Sequence, residues 1–276
     1  MYFASHSAIA PFHLHEPTSS AEAVGLLECL PEVALLAGGV DLIPALRAGR
    51  RTDNLVSLAK ANDLKALEAD TSGLRIGGGV TLDQLARWAP LEAQAPDIAR
   101  AARDIANIRV RCAATLGGNL AAANPGYDLL PLLIAAGAEI RVNAGGRDSQ
   151  WSFDGGPVGW APAGVISGIR VPVRNRQRLR AERRYKPVAS VFTGLWQTAE
   201  GLEGVVAVGC AYDQLWMARL PAGTANPAQL VTDAGDLAQR MTIDLPTPPD
   251  STVAGDAYRT RLIRAVLRQQ LESMAT

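Results

Sequence analysis

The chain has 276 residues, 48% hydrophobic and 20% charged, enough to bury a sizeable core in one large or two modest domains. Lys+Arg and Asp+Glu both number 27, so no overall field draws it to nucleic acid or to an anionic membrane surface. Cys29, Cys112 and Cys210 stand far apart, form neither a disulfide framework nor a paired metal set, and are each expected to be a small buried hydrophobe.

The N-terminal segment, Met1 to Ser7, lacks the basic stretch and apolar run of a secretion signal, and no later run is long enough to span a bilayer; a cytoplasmic protein is expected. Thr18-Ser19-Ser20-Ala21-Glu22 predicts a helix start, with hydroxyls to cap and an acid in the first turn, continued by Val24, Leu26, Leu27 and Leu30 and ended by Pro31. Val33 to Leu36 is a short strand cut off by Gly38-Gly39, and Leu42, Ile43 and Leu46 follow at helical spacing. After a stretch beginning near Leu55-Val56-Ser57-Leu58, the same order of strand, glycine turn and helix returns at Leu74-Arg75-Ile76, Gly77-Gly78-Gly79 and Thr81-Leu82-Asp83-Gln84-Leu85.

Pro96 to Ile108 predicts one helix with Ile98, Ala101, Ala102, Ile105 and Ile108 on a single face. The dense motif Val110-Arg111-Cys112-Ala113-Ala114-Thr115-Leu116-Gly117-Gly118-Asn119-Leu120 comes next, then Ala123-Asn124-Pro125-Gly126-Tyr127-Asp128 and an apolar helix from Leu129 to Ala136. Glu139 to Val142 and Val165 to Pro172 are strands, the second closing this unit. The basic run from Arg174 to Arg184 reads as a linker or loop, first as a solvated face at a domain boundary and second as a docking surface for a partner or a phosphate. Val188 to Phe192 and Val205 to Val208 are strands of a smaller domain, which ends in a helix through Tyr258, Leu262, Val266 and Leu271 after a rigid connector, Leu245-Pro246-Thr247-Pro248-Pro249.

Chemistry concentrates at the glycine pairs. Successive backbone N–H groups bind a phosphate oxygen where they converge, and glycine permits this through positive φ and the absence of a Cβ. Gly38-Gly39 precedes a helix and adds its N-terminus. Gly117-Gly118 is flanked by the Thr115 hydroxyl and the Asn119 amide, which extend the anion contacts beyond the backbone. Asp128 either accepts from ribityl or ribose hydroxyls or caps the Leu129 helix. Gly77-Gly78-Gly79 reads first as a scaffold bend and second as a third ligand turn. The dinucleotide fingerprint G-x-G-x-x-G and the P-loop are absent, which argues against a Rossmann dehydrogenase and an NTPase. His13 and His15 have metal-like spacing but no third ligand nearby in sequence, so with His6 they read as surface or packing residues.

At these motifs the chain resembles the FAD-binding medium subunit of molybdenum hydroxylases, the group of carbon monoxide dehydrogenase and xanthine dehydrogenase. Ala37-Gly38-Gly39-Val40-Asp41-Leu42 resembles A-G-G-x-x-L, residues 110–120 resemble V-R-N-x-A-T-[IL]-G-G-N-[IL], and Asn124 to Leu129 resembles x-P-x-x-D-L. Val165 to Pro172 resembles the strand ending the flavin domain, and Gly255-Asp256-Ala257-Tyr258-Arg259 resembles the G-S-A-x-Y-R before the last helix. Cys112 stands where the family has Asn, and the stretch around Lys186 is shorter than in some members and lacks their acidic residue.

The resemblance implies an α+β chain: a two-subdomain FAD-binding fold of the vanillyl-alcohol-oxidase/PCMH type at 1–173, split near 57, followed by a smaller α+β domain at 174–276. It implies FAD held by the first loop, Leu36 to Leu42, and by Gly117 and Gly118. Thr115, Asn119 and Asp128 would make side-chain contacts, the Ile166 backbone would lie by the adenine, and Lys186 would lie near the flavin ring. It further implies a small 2Fe-2S subunit and a large molybdopterin subunit as partners, assembled as a heterotrimer or a dimer of heterotrimers. The chain would then be an oxidoreductase subunit that does not oxidise the organic substrate alone. A stand-alone flavoprotein and a flavin-free scaffold protein are the alternatives.

Overall fold

The computed structural model describes residues 8–151, 153, 156–158, 163–174, 177–185, 188–221, 227–246 and 255–275. Strands β1 (His13–His15), β2 (Val33–Leu36) and β3 (Asn54–Ser57) form a small parallel sheet in the order β1-β3-β2. Parallel neighbours need crossovers, and helices α1 (Ser20–Cys29) and α2 (Leu42–Arg47) supply them. The expected start of α1 holds: the Glu22 N–H donates to the Ser19 hydroxyl at 3.2 Å, and the Glu22 carboxylate accepts from the Thr18 N–H at 2.7 Å.

Strands β4 (Leu67–Asp70), β5 (Gly73–Gly77), β6 (Glu139–Ala144) and β7 (Arg147–Trp151), a two-residue strand β8 (Gly156–Pro157) and β9 (Val165–Pro172) follow. All but β8 make an antiparallel sheet in the order β4-β5-β9-β6-β7. Between β5 and β6 run helices α3 (Leu82–Arg87), α4 (Ala89–Gln94), α5 (Pro96–Asp104), α6 (Ile108–Ala113), α7 (Leu116–Ala121) and α8 (Leu129–Ala135). Thr81 and Gln84 close a reciprocal capping box at the head of α3.

The third sheet contains β10 (Arg178–Glu182), β11 (Ser190–Thr198), β12 (Gly201–Gly209) and β13 (Trp216–Arg219), in the order β10-β11-β12-β13-β8, so the short β8 joins it from upstream. Helices α9 (Pro227–Met241) and α10 (Asp256–Ala275) share a core with it: Ile263, Leu267 and Leu271 pack in one cluster with Val191, Val206 and Trp216. A larger core runs from Leu74 on β5 through α8 to Phe192 and Met217 of the third sheet. Every residue of α8 is buried, which accounts for its unbroken apolar sequence. The α+β fold is therefore as the sequence predicts.

Three local expectations change. The helix predicted from Pro96 to Ile108 stops at Asp104, because Ala106 takes φ +47° and Asn107 caps a new helix by accepting from the Val110 N–H at 3.1 Å. Ile108 is consequently 47% exposed. The basic run is not all linker: Arg178 to Glu182 form β10, with Leu179 buried, Arg178 half-buried and donating to the Met274 carbonyl, and Arg180 exposed, and the Arg174 guanidinium lies 4.2 Å from the ring centre of Trp196. Cys29 and Cys112 are exposed free thiols, and Cys210 is half-buried, its sulfur accepting from the Ser190 hydroxyl. The N-terminal segment with His6, and Thr247-Pro248-Pro249 of the connector, lie outside the described residues.

The third sheet meets α8 through a glycine. A Cβ at Gly194 on β11 would collide with the Ala135 carbonyl oxygen and come 3.1 Å from Leu179 Cδ2. Backbone cannot yield there as a side chain could. Gly194→Ala should therefore cost about 1–3 kcal/mol of stability, read as a lower urea midpoint with an unchanged slope.

Candidate functional site

A cleft of about 670 Å³ lies where the small parallel sheet, the helical insertion and the second sheet meet. Its walls are built by backbones that approach more closely than side chains would allow. A Cβ on Gly38 would strike the Ala113 carbonyl, so the first glycine loop rests directly on the end of α6. Gly39 has φ +68°, a conformation that favours glycine. The second glycine motif is stitched to the triple glycine: Gly117 N–H donates to Gly78 O at 2.8 Å and Leu116 N–H to Val80 O at 2.8 Å. A Cβ on Gly78 would in turn meet the Ile166 carbonyl. The triple glycine is thus the scaffold bend expected of it, although Gly78 and Gly79 also line the cleft.

The two glycine loops contribute differently. Among the described residues, the backbone N–H groups of Gly38 through Leu42 find no acceptor, and all of these residues line the cleft. Such a run of open amides next to a helix start suits an anion. By contrast, Gly118 N–H is taken by the Thr115 hydroxyl at 3.1 Å and Asn119 N–H by the Thr115 carbonyl at 2.9 Å. Gly117 and Gly118 sit inside the first turn of α7, and neither has the positive φ that would make glycine obligatory. Their value is close approach: a Cβ on Gly118 would press to 2.9 Å on the oxygen that caps the helix. Thr115 accepts with its oxygen and keeps its proton for another partner. Asn119 Oδ1 is buried in the same wall with no hydrogen-bond partner among the described residues.

At the other end, polar groups form two ties. The Tyr127 hydroxyl donates to Asp41 Oδ1 at 2.6 Å, clasping the first loop to the segment before α8. Burial, and then the Asp41 bond, push the Tyr127 phenol up to about 12, so it remains a donor at any physiological pH. Asp128 occupies the cap position of α8 but makes no side-chain capping bond. Its carboxylate is 7% exposed and faces Arg183 Nε at 3.0 Å, while Arg183 Nη1 stands 3.8 Å from Asp104 Oδ2.

Ala37, Gly38, Gly39, Val40, Asp41, Leu42, Thr115, Gly117, Gly118, Asn119, Asp128 and Ile166 all line this one cleft. Leu36 packs instead against the small cluster of Ala34, Leu46 and Leu55, and Lys186 lies outside the described residues. Sequence reasoning gave no role to Tyr127, Asp104 or Arg183. Tyr127 lies within the motif from Ala123 to Asp128, whereas Arg183 is one of a run of arginines. His13 and His15 lie on β1, with His15 Nε2 2.9 Å from Asn54 Oδ1, and no group of metal-ligating side chains forms among the described residues. No described helix is long and apolar enough to cross a membrane.

An open-amide glycine loop facing a partly apolar cleft of this size suits a phosphate-bearing cofactor. Residues 10–172 match the family described as FAD binding domain in molybdopterin dehydrogenase, and the chain belongs to that family. The carbon monoxide dehydrogenase medium chain of Afipia carboxidovorans is 29% identical over 280 residues, covering 95% of this chain and 96% of that protein. The xanthine dehydrogenase FAD-binding subunit of Escherichia coli O157:H7 is 32% identical over 108 residues, 38% of this chain and 37% of that protein. Among solved structures, reconstituted CO dehydrogenase from Oligotropha carboxidovorans matches with a TM-score of 0.78 at 23% identity, over 95% of this chain and 96% of that one. Quinoline 2-oxidoreductase from Pseudomonas putida 86 matches at 0.77 and 20% identity, over 97% and 98%. At such identities the likeness shows a shared fold, and the family and the FAD-binding character read from the motifs are those the comparisons return.

The Tyr127 clasp has a measurable consequence. Tyr127→Phe should weaken FAD binding about fivefold to tenfold, the worth of one hydrogen bond of about 1 kcal/mol, with no new pH dependence between pH 6 and 9. Flavin fluorescence quenching on titration reads it; an unchanged affinity would show that the clasp does not order the first loop.

Proposed function

We propose that this chain is the FAD-carrying subunit of a molybdopterin-dependent oxidoreductase complex. In this reading a large molybdopterin subunit oxidises the organic substrate, and a small 2Fe-2S subunit delivers the electrons here. The observation that carries it is the run of open amides from Gly38 to Leu42 along the cleft, in a chain of this family. Two further features fit FAD: the buried, unpartnered Asn119 Oδ1, and a cleft volume within the usual range of cofactor pockets. The carbon monoxide dehydrogenase medium chain, similar over 95% of this chain, supports a role as one subunit among several. Exposed free thiols at Cys29 and Cys112 suit a reducing compartment, which supports a cytoplasmic location; the complex in this reading is a heterotrimer or a dimer of heterotrimers.

When bound, FAD supplies the redox step between the iron–sulfur donor and an external acceptor. The work of this chain is to bind and orient it. The first loop, from the end of β2 at Leu36 to Leu42, meets the diphosphate with its open amides. Gly117 and Gly118 bring the second wall close, the Thr115 hydroxyl proton and the Asn119 amide complete the polar contacts, and Asp128 accepts from hydroxyls. By the family resemblance, the Ile166 backbone would lie by the adenine and Lys186 near the flavin ring. Nothing in this role needs a protein acid, base or nucleophile. We divide the chain at about residue 173 into the FAD-binding domain, with subdomains meeting near 57, and the C-terminal domain.

The test is reconstitution. The full chain, alone and co-expressed with neighbouring gene products, should show the visible absorption of oxidised flavin and co-purify with an iron–sulfur subunit. Turnover of an organic donor by the isolated chain would refute the subunit role, and failure to take up FAD would refute the whole reading. Asn119→Leu gives opposed effects that separate ligand from scaffold. Removing an orphaned acceptor should raise the thermal midpoint of the apo chain, since such a group costs about 1–3 kcal/mol, while FAD affinity falls about tenfold.

A further inference from the structure

The segment that joins α7 to α8, residues 122–128, forms part of the cleft wall: Ala122, Asn124, Gly126, Tyr127 and Asp128 all line it. Its internal bonds are short-range. Gly126 N–H donates to Asn124 Oδ1 at 2.8 Å and Tyr127 N–H to the Asn124 carbonyl at 2.9 Å, which shapes a turn but does not fix where the turn stands. Tyr127 ties the segment to Asp41 on the first loop. Two further grips come from the third sheet: Arg183 at Asp128, and Cys210, whose N–H donates to the Pro125 carbonyl at 2.8 Å.

The Cys210 contact depends on close backbone approach. Cys210 has φ +62°, in the left-handed region where a residue with a Cβ is uncommon. Gly209, the last residue of β12, packs against the same carbonyl: a Cβ there would stand 3.0 Å from Pro125 O and 2.8 Å from Ser190 Oγ. Ser190 is 1% exposed, so its close-packed surroundings leave it little room to give way. Neither Gly209 nor Cys210 lines the cleft, so any effect they have on a ligand there passes through Pro125.

We propose that Gly209 and Cys210 are positioning residues for cofactor binding: the turn after β12 buttresses Pro125, and this sets Tyr127 where its hydroxyl holds Asp41 and, with it, the open amides of the first loop. The proposal rests on the FAD reading above. Only Gly126 separates Pro125 from Tyr127, so a displaced carbonyl carries the phenol with it, and a hydrogen bond weakens steeply as its geometry departs from ideal. Linkage requires the reverse as well: a ligand that favours the closed clasp tightens the turn.

The experiment measures FAD dissociation constants of the full chain by flavin fluorescence, in a double-mutant cycle. Gly209→Ala should weaken FAD binding about fivefold, but less than about twofold in a Tyr127→Phe background, because both changes disable one route. Gly194→Ala, on the neighbouring strand β11, lowers third-sheet stability alone and should leave the constant within about twofold of wild type. An unchanged constant in Gly209→Ala, losses that multiply in the double variant, or an equal loss in Gly194→Ala would overturn the buttress. If Gly209→Ala does not fold, hydrogen exchange of the wild-type chain decides: FAD should protect residues 209–215 more than α10, and equal protection of both overturns the proposal. A wild-type chain that takes up no FAD sinks the functional reading itself, and is thereby distinguished from failure of the buttress.

Discussion

The cleft depends on backbone meeting backbone. Gly38 lies against the Ala113 carbonyl, Gly117 against Gly78, and Gly78 against the Ile166 carbonyl, so a continuous seam of main chain joins the small parallel sheet, the helical insertion and the second sheet. A methyl group at Gly38 or Gly78 would strike the opposing main chain and push these elements apart. The seam also decides which amides remain open. Gly117 spends its N–H on holding the seam together and Gly118 on the Thr115 cap of its own helix, and the first loop, anchored by its own glycine, keeps its amides for a ligand. Scaffold and ligand contacts are thereby divided between two motifs that look alike in sequence.

The C-terminal sheet has a part in this site as well. Through α8 it shares a core with the second sheet, and through Arg183 it reaches the buried Asp128. A core of this kind resists relative sliding, since interiors are close-packed and displacement opens voids.

Much of the fold was legible because its signals are local. Ser19 with Glu22, Thr81 with Gln84, and the glycine turns each declare themselves within a few residues. The candidate site residues stand out as a motif, and those within the described residues, Leu36 apart, line one cleft. What stayed hidden depended on tertiary partners. The alternation in Arg178-Leu179-Arg180 reads as polar until β11 pairs with it and buries Leu179. The apolar period from Pro96 to Ile108 continues through Ala106, yet the chain takes a left-handed residue there and Asn107 starts another helix. No sequence pattern tells which glycine amides are already bonded, because Gly78 lies far from Gly117 along the chain.

The two-residue strand β8 has a consequence for how the molecule is made. It precedes β9 in sequence but completes the sheet built from β10 to β13, pairing Pro157 with Trp216. During synthesis this segment leaves the ribosome well before the strand it must join, so β8 stays unpaired until β13 has been made. The halves are interlaced rather than strung in series, and a gene fusion or split placed at the apparent boundary would separate a strand from its sheet.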